Sequence, residues 1–309
     1  TARSIGKVEE KRIKYFTAKL HNFQFDIADF AIWYKGLLST PPGMRRRIPG
    51  LSSDRADVIV AGSSIIKALA DKCNSKKLII SGCGLREGLF CEYRHQHENM
   101  PLITPNILET SRNDMIHQYV PDEEHARLVA RFALRIFDGW KRFHKLPEKR
   151  WRDLVETAAL LHDTGITINY YNHTRHSGYI IENARLFGMS HMDIVFASII
   201  AAWHHGVNRS YLRNKPYRKL ITDKDIEDLT RAAVIVAIAE SLDHPHMGDI
   251  LDVEARDLDE AAQLTLIARK DPLIEMKQLN ALMKWIRKTL GTPVTVVVKL
   301  LPNGSTRKE

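Results

Sequence analysis

Apolar residues recur at helical spacing through most of the chain. Ile13, Phe16, Leu20 and Phe23 are followed by Ile27, Phe30, Ile32 and Leu37–Leu38, which predicts two helices over 7–38. Ser39-Thr40-Pro41-Pro42-Gly43 breaks the pattern. A helix is expected from about Ser53 to Cys73, with Ser52 or Ser53 as its N-cap. Lys77–Ser81 reads as a short buried strand, ending in Gly82-Cys83-Gly84, and a further helix opens at Arg86-Glu87-Gly88. From about His95 to Gly248 the periodicity is almost wholly helical, with helices expected over 122–138, 150–163, 173–187, 190–204 and 224–242. The last segment changes character: Leu264–Ala268 is strand-like, Leu273–Leu290 is an amphipathic helix and Val294–Leu300 is rich in β-branched residues. The fold class expected is mainly α with a small α/β tail.

Composition narrows the picture. The 309 residues are 44% hydrophobic and 27% charged, which excludes a disordered or collagenous chain and allows two or three domains. No apolar stretch reaches the ~18 residues of a spanning helix, and no signal-type leader opens the chain, so the expected location is cytoplasmic, with no membrane partner. The first residue is Thr, so the chain is expected either to have lost a leader or to be a piece of something longer. Cys73, Cys83 and Cys91 fit neither a disulfide framework nor a CxxC site and are expected to be buried, reduced thiols. The formal charge of +9 favours an anionic partner without choosing among nucleic acid, phosphorylated metabolite, polyphosphate and acidic lipid.

The 14 histidines carry more information, because several stand at ends of apolar helices. The run 154–161 meets His162-Asp163; the run 194–203 meets His204-His205; the run 234–239 reaches Glu240 and Asp243-His244. His125 lies in the first turn of another helix, and His173 and His176 sit three apart on one helix face. Apolar helices must pack together, so their ends should bring His125, His162, Asp163, His176, His204 and Asp243 toward one pocket. Imidazole and carboxylate groups in such a pocket need partners. A divalent cation (Mg or Mn first, with Fe, Ni or Zn as alternatives) is one solution, and Asp163 could bridge two of them. A polar network without metal is the other.

This constellation resembles the HD superfamily of metal-dependent phosphohydrolases over about 120–248. The resemblance implies His125, His162, Asp163 and Asp243 as ligands of one metal. It implies Asp163, His176, His204 and His205 for a second, with His162 and Asp163 as catalytic residues. A second resemblance spans nearly the whole chain. Ile48-Pro49-Gly50-Leu51 with Arg55–Gly62, Leu78–Ser81 with Gly84–Leu89, and Leu161–Asn169 with His173–Ser177 are similar to the Ppx/GppA exopolyphosphatase and guanosine pentaphosphate phosphatase family. It implies three parts: the end of an actin-like (ASKHA) second lobe over 1–94, an HD-type helical domain over 95–250 and a small α/β domain over 251–309. The activity it implies is hydrolysis of the terminal phosphate of polyphosphate or guanosine pentaphosphate. The glycine-rich phosphate turns and acidic residue of the family's first lobe have no counterpart in this sequence.

Other residues have phosphate-type readings beside plain ones. The loop after His204-His205 holds Arg209, Arg213, Lys215, Arg218 and Lys219 with two tyrosines, and Arg175 lies between His173 and His176. These would orient a phosphate by charge-assisted hydrogen bonds, or form a solvated face. Arg86, beside Gly82, Gly84 and Gly88, contacts phosphate or belongs to a tight turn whose Arg86-Glu87 caps the helix. Arg45-Arg46-Arg47 reads as a basic turn or an anion contact. The helix 273–290 reads as core or a homodimer contact. No nucleic-acid recognition motif is present. Two further functions stay open: an HD phosphohydrolase acting on a phosphomonoester or nucleotide, and a non-catalytic module for dimerisation and binding of polyphosphate or a guanosine tetraphosphate-type anion.

Overall fold

A computed structural model describes residues 1–259 and 261–301. The chain divides into two compact units, 1–105 and 106–309. Among the described residues no helix is long and apolar enough to cross a membrane.

The first unit holds α1 (Ala2–Arg12), β1 (Phe23–Asp26), α2 (Ile27–Ser39), α3 (Pro42–Arg45), α4 (Ile59–Lys72), β2 (Lys77–Ile80) and α5 (Leu85–Glu98). Ile5, Val8, Phe23, Phe30, Ile59 and Ile80 make its core. The two helices expected over 7–38 are corrected here. Helix α1 stops at Arg12, Lys14 and Asn22 take positive φ, and Phe23-Gln24-Phe25-Asp26 alternates buried and exposed as an antiparallel partner of β2. Phe23 sits at helical spacing from Leu20, but Phe25 sits two residues beyond it, and the sheet period prevails. The helix expected from Ser53 is a 3-10 turn at Ser53–Arg55 followed by α4, and the Ser52 side chain makes no cap hydrogen bond. All three cysteines are exposed, against the expectation of burial.

The second unit is built on α6 (Ile107–Tyr119), α7 (Glu123–Gly139), α8 (Lys141–His144), α9 (Glu148–Leu161), α10 (His173–Asn183), α11 (His191–Ala202) and α12 (Asp223–Ser241). Helix α12 is the axis: Ala232–Ala239 is buried all round and packs against α7, α9 and α11. It begins where Thr222 and Asp225 cap each other, Thr222 Oγ1 accepting from Asp225 N–H and Asp225 Oδ2 from Thr222 N–H. A three-stranded sheet closes the unit, with order β3 (Ile250–Leu258), β4 (Ala261–Ala268), β5 (Val294–Leu300). The pair β3–β4 is antiparallel, β4–β5 is parallel, and α13 (Leu273–Leu290) makes the crossover and packs on α12. Gly139 lets α7 meet β3 backbone to backbone, since a Cβ there would lie 2.2 Å from the Ala255 carbonyl oxygen. The described residues are thus mainly helical with two small sheets.

Candidate metal centre

Each ligand-type side chain is delivered by a helix end. His162 stands at the C-terminus of α9 and its Nδ1 donates to the Ala159 carbonyl at 2.7 Å. His204 repeats the device two residues past α11, with Nδ1 donating to the Ala201 carbonyl at 2.6 Å. His173 opens α10 and its Nδ1 donates to the Tyr170 carbonyl at 3.0 Å. A nitrogen facing a carbonyl oxygen must carry the proton, so each neutral ring turns a bare Nε2 the other way. His125, held in the first turn of α7 by the Asp122 cap, donates Nδ1–H to Asp243 Oδ2 at 2.8 Å and likewise frees Nε2.

These Nε2 atoms converge on Asp163. Its Oδ2 lies 3.6 Å from His162 Nε2; its Oδ1 lies 3.4 Å from His173 Nε2 and 3.9 Å from His204 Nε2. His125 Nε2 and His162 Nε2 are 3.4 Å apart. Two trios can each hold an ion, His125–His162–Asp163 and His173–His204–His205, with ligand atoms within 4.8 Å of one another. The Asp163 oxygens divide between these trios. Adjacent ligand atoms of an ion with ~2.0–2.2 Å bonds lie about 3.0–3.5 Å apart, so the spacing suits a cation better than hydrogen bonds.

The electrostatics agree. Burial, with the neighbouring His162 and His205, pushes the His204 imidazole down to about 3. Burial lowers His162 as well. Burial alone would raise Asp163, but the surrounding imidazoles outweigh it and hold the carboxyl below its usual range. His204 Nε2 is buried without a hydrogen-bond partner. An orphaned buried acceptor costs about 1–3 kcal/mol unless something fills it. A divalent cation fits this donor set, and imidazole-rich ligation favours Mn, Fe, Ni or Zn over Mg.

The sequence-based candidates divide. His125, His162, Asp163, His204 and His205 come together. Asp243 backs His125 and accepts the Gly248 N–H at 2.9 Å, so it orients the His125 ring. His176 belongs to neither trio and instead lines a cleft with Arg175, Arg213 and Lys215. His173 stands in the cluster where His176 was expected. Glu240, also outside the expected set, lies 3.9 Å from His205 Nε2 and accepts from His244 Nδ1 at 2.7 Å. Burial opposes the Glu240 charge, but His205 and His244 hold the carboxyl well below its usual range. Its signal was its place at the end of the apolar run of α12. Gly165 fixes the inward turn of His173: a Cβ there would meet the His173 carbonyl oxygen at 2.1 Å and Ser177 N at 2.4 Å.

Arg209, Arg213 and Arg218 line a second cleft, and Lys219 is exposed outside both. The glycine turn of the first unit does not offer free N–H groups. Gly82 donates to His21 Nδ1, Cys83 to Ser81 Oγ and Gly84 to Glu87 Oε2, so the tight-turn and capping reading holds and Arg86 stands exposed beside it. Arg45 and Arg46 of the basic turn face the Thr40 carbonyl and Asp57.

Comparison with known proteins adds an independent line. Residues 107–283 match the family model described as Ppx/GppA phosphatase, domain III, and residues 1–97 match that of the Ppx/GppA phosphatase family. A guanosine-5'-triphosphate,3'-diphosphate pyrophosphatase of Aeromonas salmonicida (strain A449) is 27% identical over 146 residues, 47% of this chain and 28% of that protein. The protein of the same name from Pseudoalteromonas translucida (strain TAC 125) is 27% identical over 157 residues, 51% of this chain and 31% of that one. The match thus spans about three tenths of these relatives' length.

Proposed function

Because the chain belongs to the Ppx/GppA phosphatase family, we propose that it serves phosphoanhydride hydrolysis, removing the terminal phosphate of polyphosphate or guanosine pentaphosphate, and that its His–Asp cluster is an HD-type divalent-metal centre. In this reading the chain is the C-terminal part of such an enzyme, and a first actin-like lobe outside it completes the family's cleft. The relatives' name, a pyrophosphatase of guanosine-5'-triphosphate,3'-diphosphate, supports the substrate class. A cytoplasmic homodimer remains the expected setting.

The observation that carries the metal centre is the bare, buried Nε2 of His204 opposite Asp163 Oδ1. When bound there, a divalent cation would polarise a phosphoryl oxygen and acidify water. The residues themselves do the rest. The backbone carbonyls of Ala159, Tyr170 and Ala201 fix the tautomers of His162, His173 and His204, and Asp243 fixes that of His125. Asp163 belongs to one trio and turns its Oδ1 toward His173 and His204 of the other. His205, 47% exposed and steadied by Glu240, stands nearest the solvent. That opening supports a second reading, in which the cluster itself hydrolyses a phosphomonoester or nucleotide.

Elemental analysis of the chain, purified without chelator, tests the proposal. One or two equivalents of transition metal are expected, lost in Asp163→Ala, and phosphate release from polyphosphate, guanosine pentaphosphate and a phosphomonoester should then separate the two readings. No metal after soaking with each ion would leave a polar network.

A further inference from the structure

Three clefts of the second unit hold arginines; the one lined by Arg209, Arg213 and Arg218 also carries the carboxylate of Asp223, and bonding separates the other two. The larger, about 630 Å³, lies along α6, α7 and α9. Every arginine in it has a partner: Arg112 bonds Thr157, Glu156 and Asp153, Arg127 bonds Glu123 and Asn113, Arg131 bonds the Leu251 carbonyl, and Arg135 and Arg152 face Asp252 and Asp138. That is a structural network in which four of the five arginines face a carboxylate and only Arg131 bonds a carbonyl alone.

The smaller cleft, about 380 Å³, is different. Arg175, Arg213, Lys215 and His176 line it together with the exposed ring of Tyr179, and no carboxylate does. Among the described residues neither Arg175 nor Arg213 has a carboxylate within ion-pair distance. Of the lining residues, Tyr211 and Lys215 are tied to Glu182 behind them. Glu182 accepts from Tyr217 Oη at 3.0 Å and Tyr211 Oη at 3.3 Å and pairs with Lys215, whose ammonium stacks on the Tyr211 ring at 4.8 Å. Both tyrosines are buried, and burial first pushes their hydroxyls up, so they remain donors. Gly178 makes the approach possible, since a Cβ there would lie 2.6 Å from Tyr211 Oη.

We propose that this cleft is a subsite for the phosphate chain of a polyanionic ligand, gripped by Arg175 and Arg213 with Lys215 and His176 behind them. Two guanidinium groups without carboxylate partners are the donor chemistry a phosphate chain requires, while the Lys215 ammonium beside them is already paired with Glu182. Binding here does not need the metal centre. The link to phosphoryl chemistry rests on the reading above, through α10, which carries His173 in the cluster and Arg175 and His176 in the cleft. The phosphate chain can be inorganic or part of a nucleotide, and the Tyr179 ring is where a base would stack.

The test is titration of the full chain, in chelator at moderate salt, with tripolyphosphate and with GTP. Saturable binding of tripolyphosphate is expected, weakened roughly tenfold by each of Arg175→Ala and Arg213→Ala and by a smaller factor by the lysine substitutions, which keep charge and lose the fork. Asp163→Ala should bind as the parent does, so failure of the metal centre leaves this result standing. GTP that binds more tightly than tripolyphosphate, with the excess lost in Tyr179→Ala, identifies a nucleotide; equal affinity identifies an inorganic chain. Unchanged far-UV circular dichroism in each variant excludes misfolding. Absence of tripolyphosphate binding, or binding that survives the Arg175→Ala/Arg213→Ala pair, overturns the proposal.

Discussion

Single atoms decide much of this protein's behaviour. Gly165 is one case: an added methyl would collide with backbone of α10 rather than with a movable side chain. Gly165→Ala is expected to lower stability by about 1–3 kcal/mol or more, as overpacking does. It should also weaken metal binding through His173, and urea denaturation with metal titration reads both. His204 is another. Saturating metal, at about 100 times Kd, should add ~2.7 kcal/mol to the unfolding free energy of the parent. His204→Leu, which removes the bare Nε2, should forfeit that gain; an equal gain in the variant would put the ion elsewhere. His144 gives a pH signature away from the cluster. It is buried, with Nε2 donating to the Phe137 carbonyl and Nδ1 accepting from Leu146 N–H, so both nitrogens are used by the neutral ring. Burial lowers its pKa from 6.5, so the folded state binds fewer protons than the unfolded one below that value. Its contribution is intact above about pH 6.5 and is lost as pH falls. In His144→Gln the acid slope of stability should be shallower by up to one proton, about 1.4 kcal/mol per pH unit.

At the level of elements, helix ends deliver the chemistry. The apolar runs of α9, α11 and α12 were legible in the sequence because a buried helix leaves little room for polar residues except where it stops. His162, His204 and Asp243 could therefore be assigned to ends before any coordinates. Strands β1 and β3 were not legible. Phe23-Gln24-Phe25-Asp26 is too short for its alternation to stand out beside helical spacing, and β3 carries Asp252, Glu254, Arg256 and Asp257 with only Ile250 and Val253 buried. The loop after α11 is held by Glu182 of α10, which binds Tyr211, Lys215 and Tyr217. Glu182→Gln should speed hydrogen exchange over 206–221 and lower the melting temperature while leaving metal content unchanged. Protection equal to the parent's would mean that the tyrosine packing alone orders the loop.

Over the whole chain, each unit owns a core, and the His–Asp cluster belongs to the second. Limited proteolysis is therefore expected to cut between α5 and α6, where 99–105 is without helix or strand, and the fragment beginning near Asn106 should keep its metal. A fragment that loses its metal on cleavage would show that the first unit supports the site. The basic balance noted in the composition is now located in part. Many of the 46 basic side chains face carboxylates, and the arginines around α10 are among those left over.

Residue types and spacing alone established that histidines and aspartates gather at helix ends, and the motifs beside them resemble the Ppx/GppA family to which the comparisons assign the chain. Type and spacing could not choose between His173 and His176, because residues three apart share a helix face and the same period serves both. Only the packing of α10 against the turn at Gly165 makes that choice, sending His173 to Asp163 and His176 to the basic cleft. Nor could they show that Asp243 acts through His125, or that Arg175 and Arg213, thirty-eight residues apart, line one cleft. Those relations are distances between elements remote in sequence, and helix packing sets them.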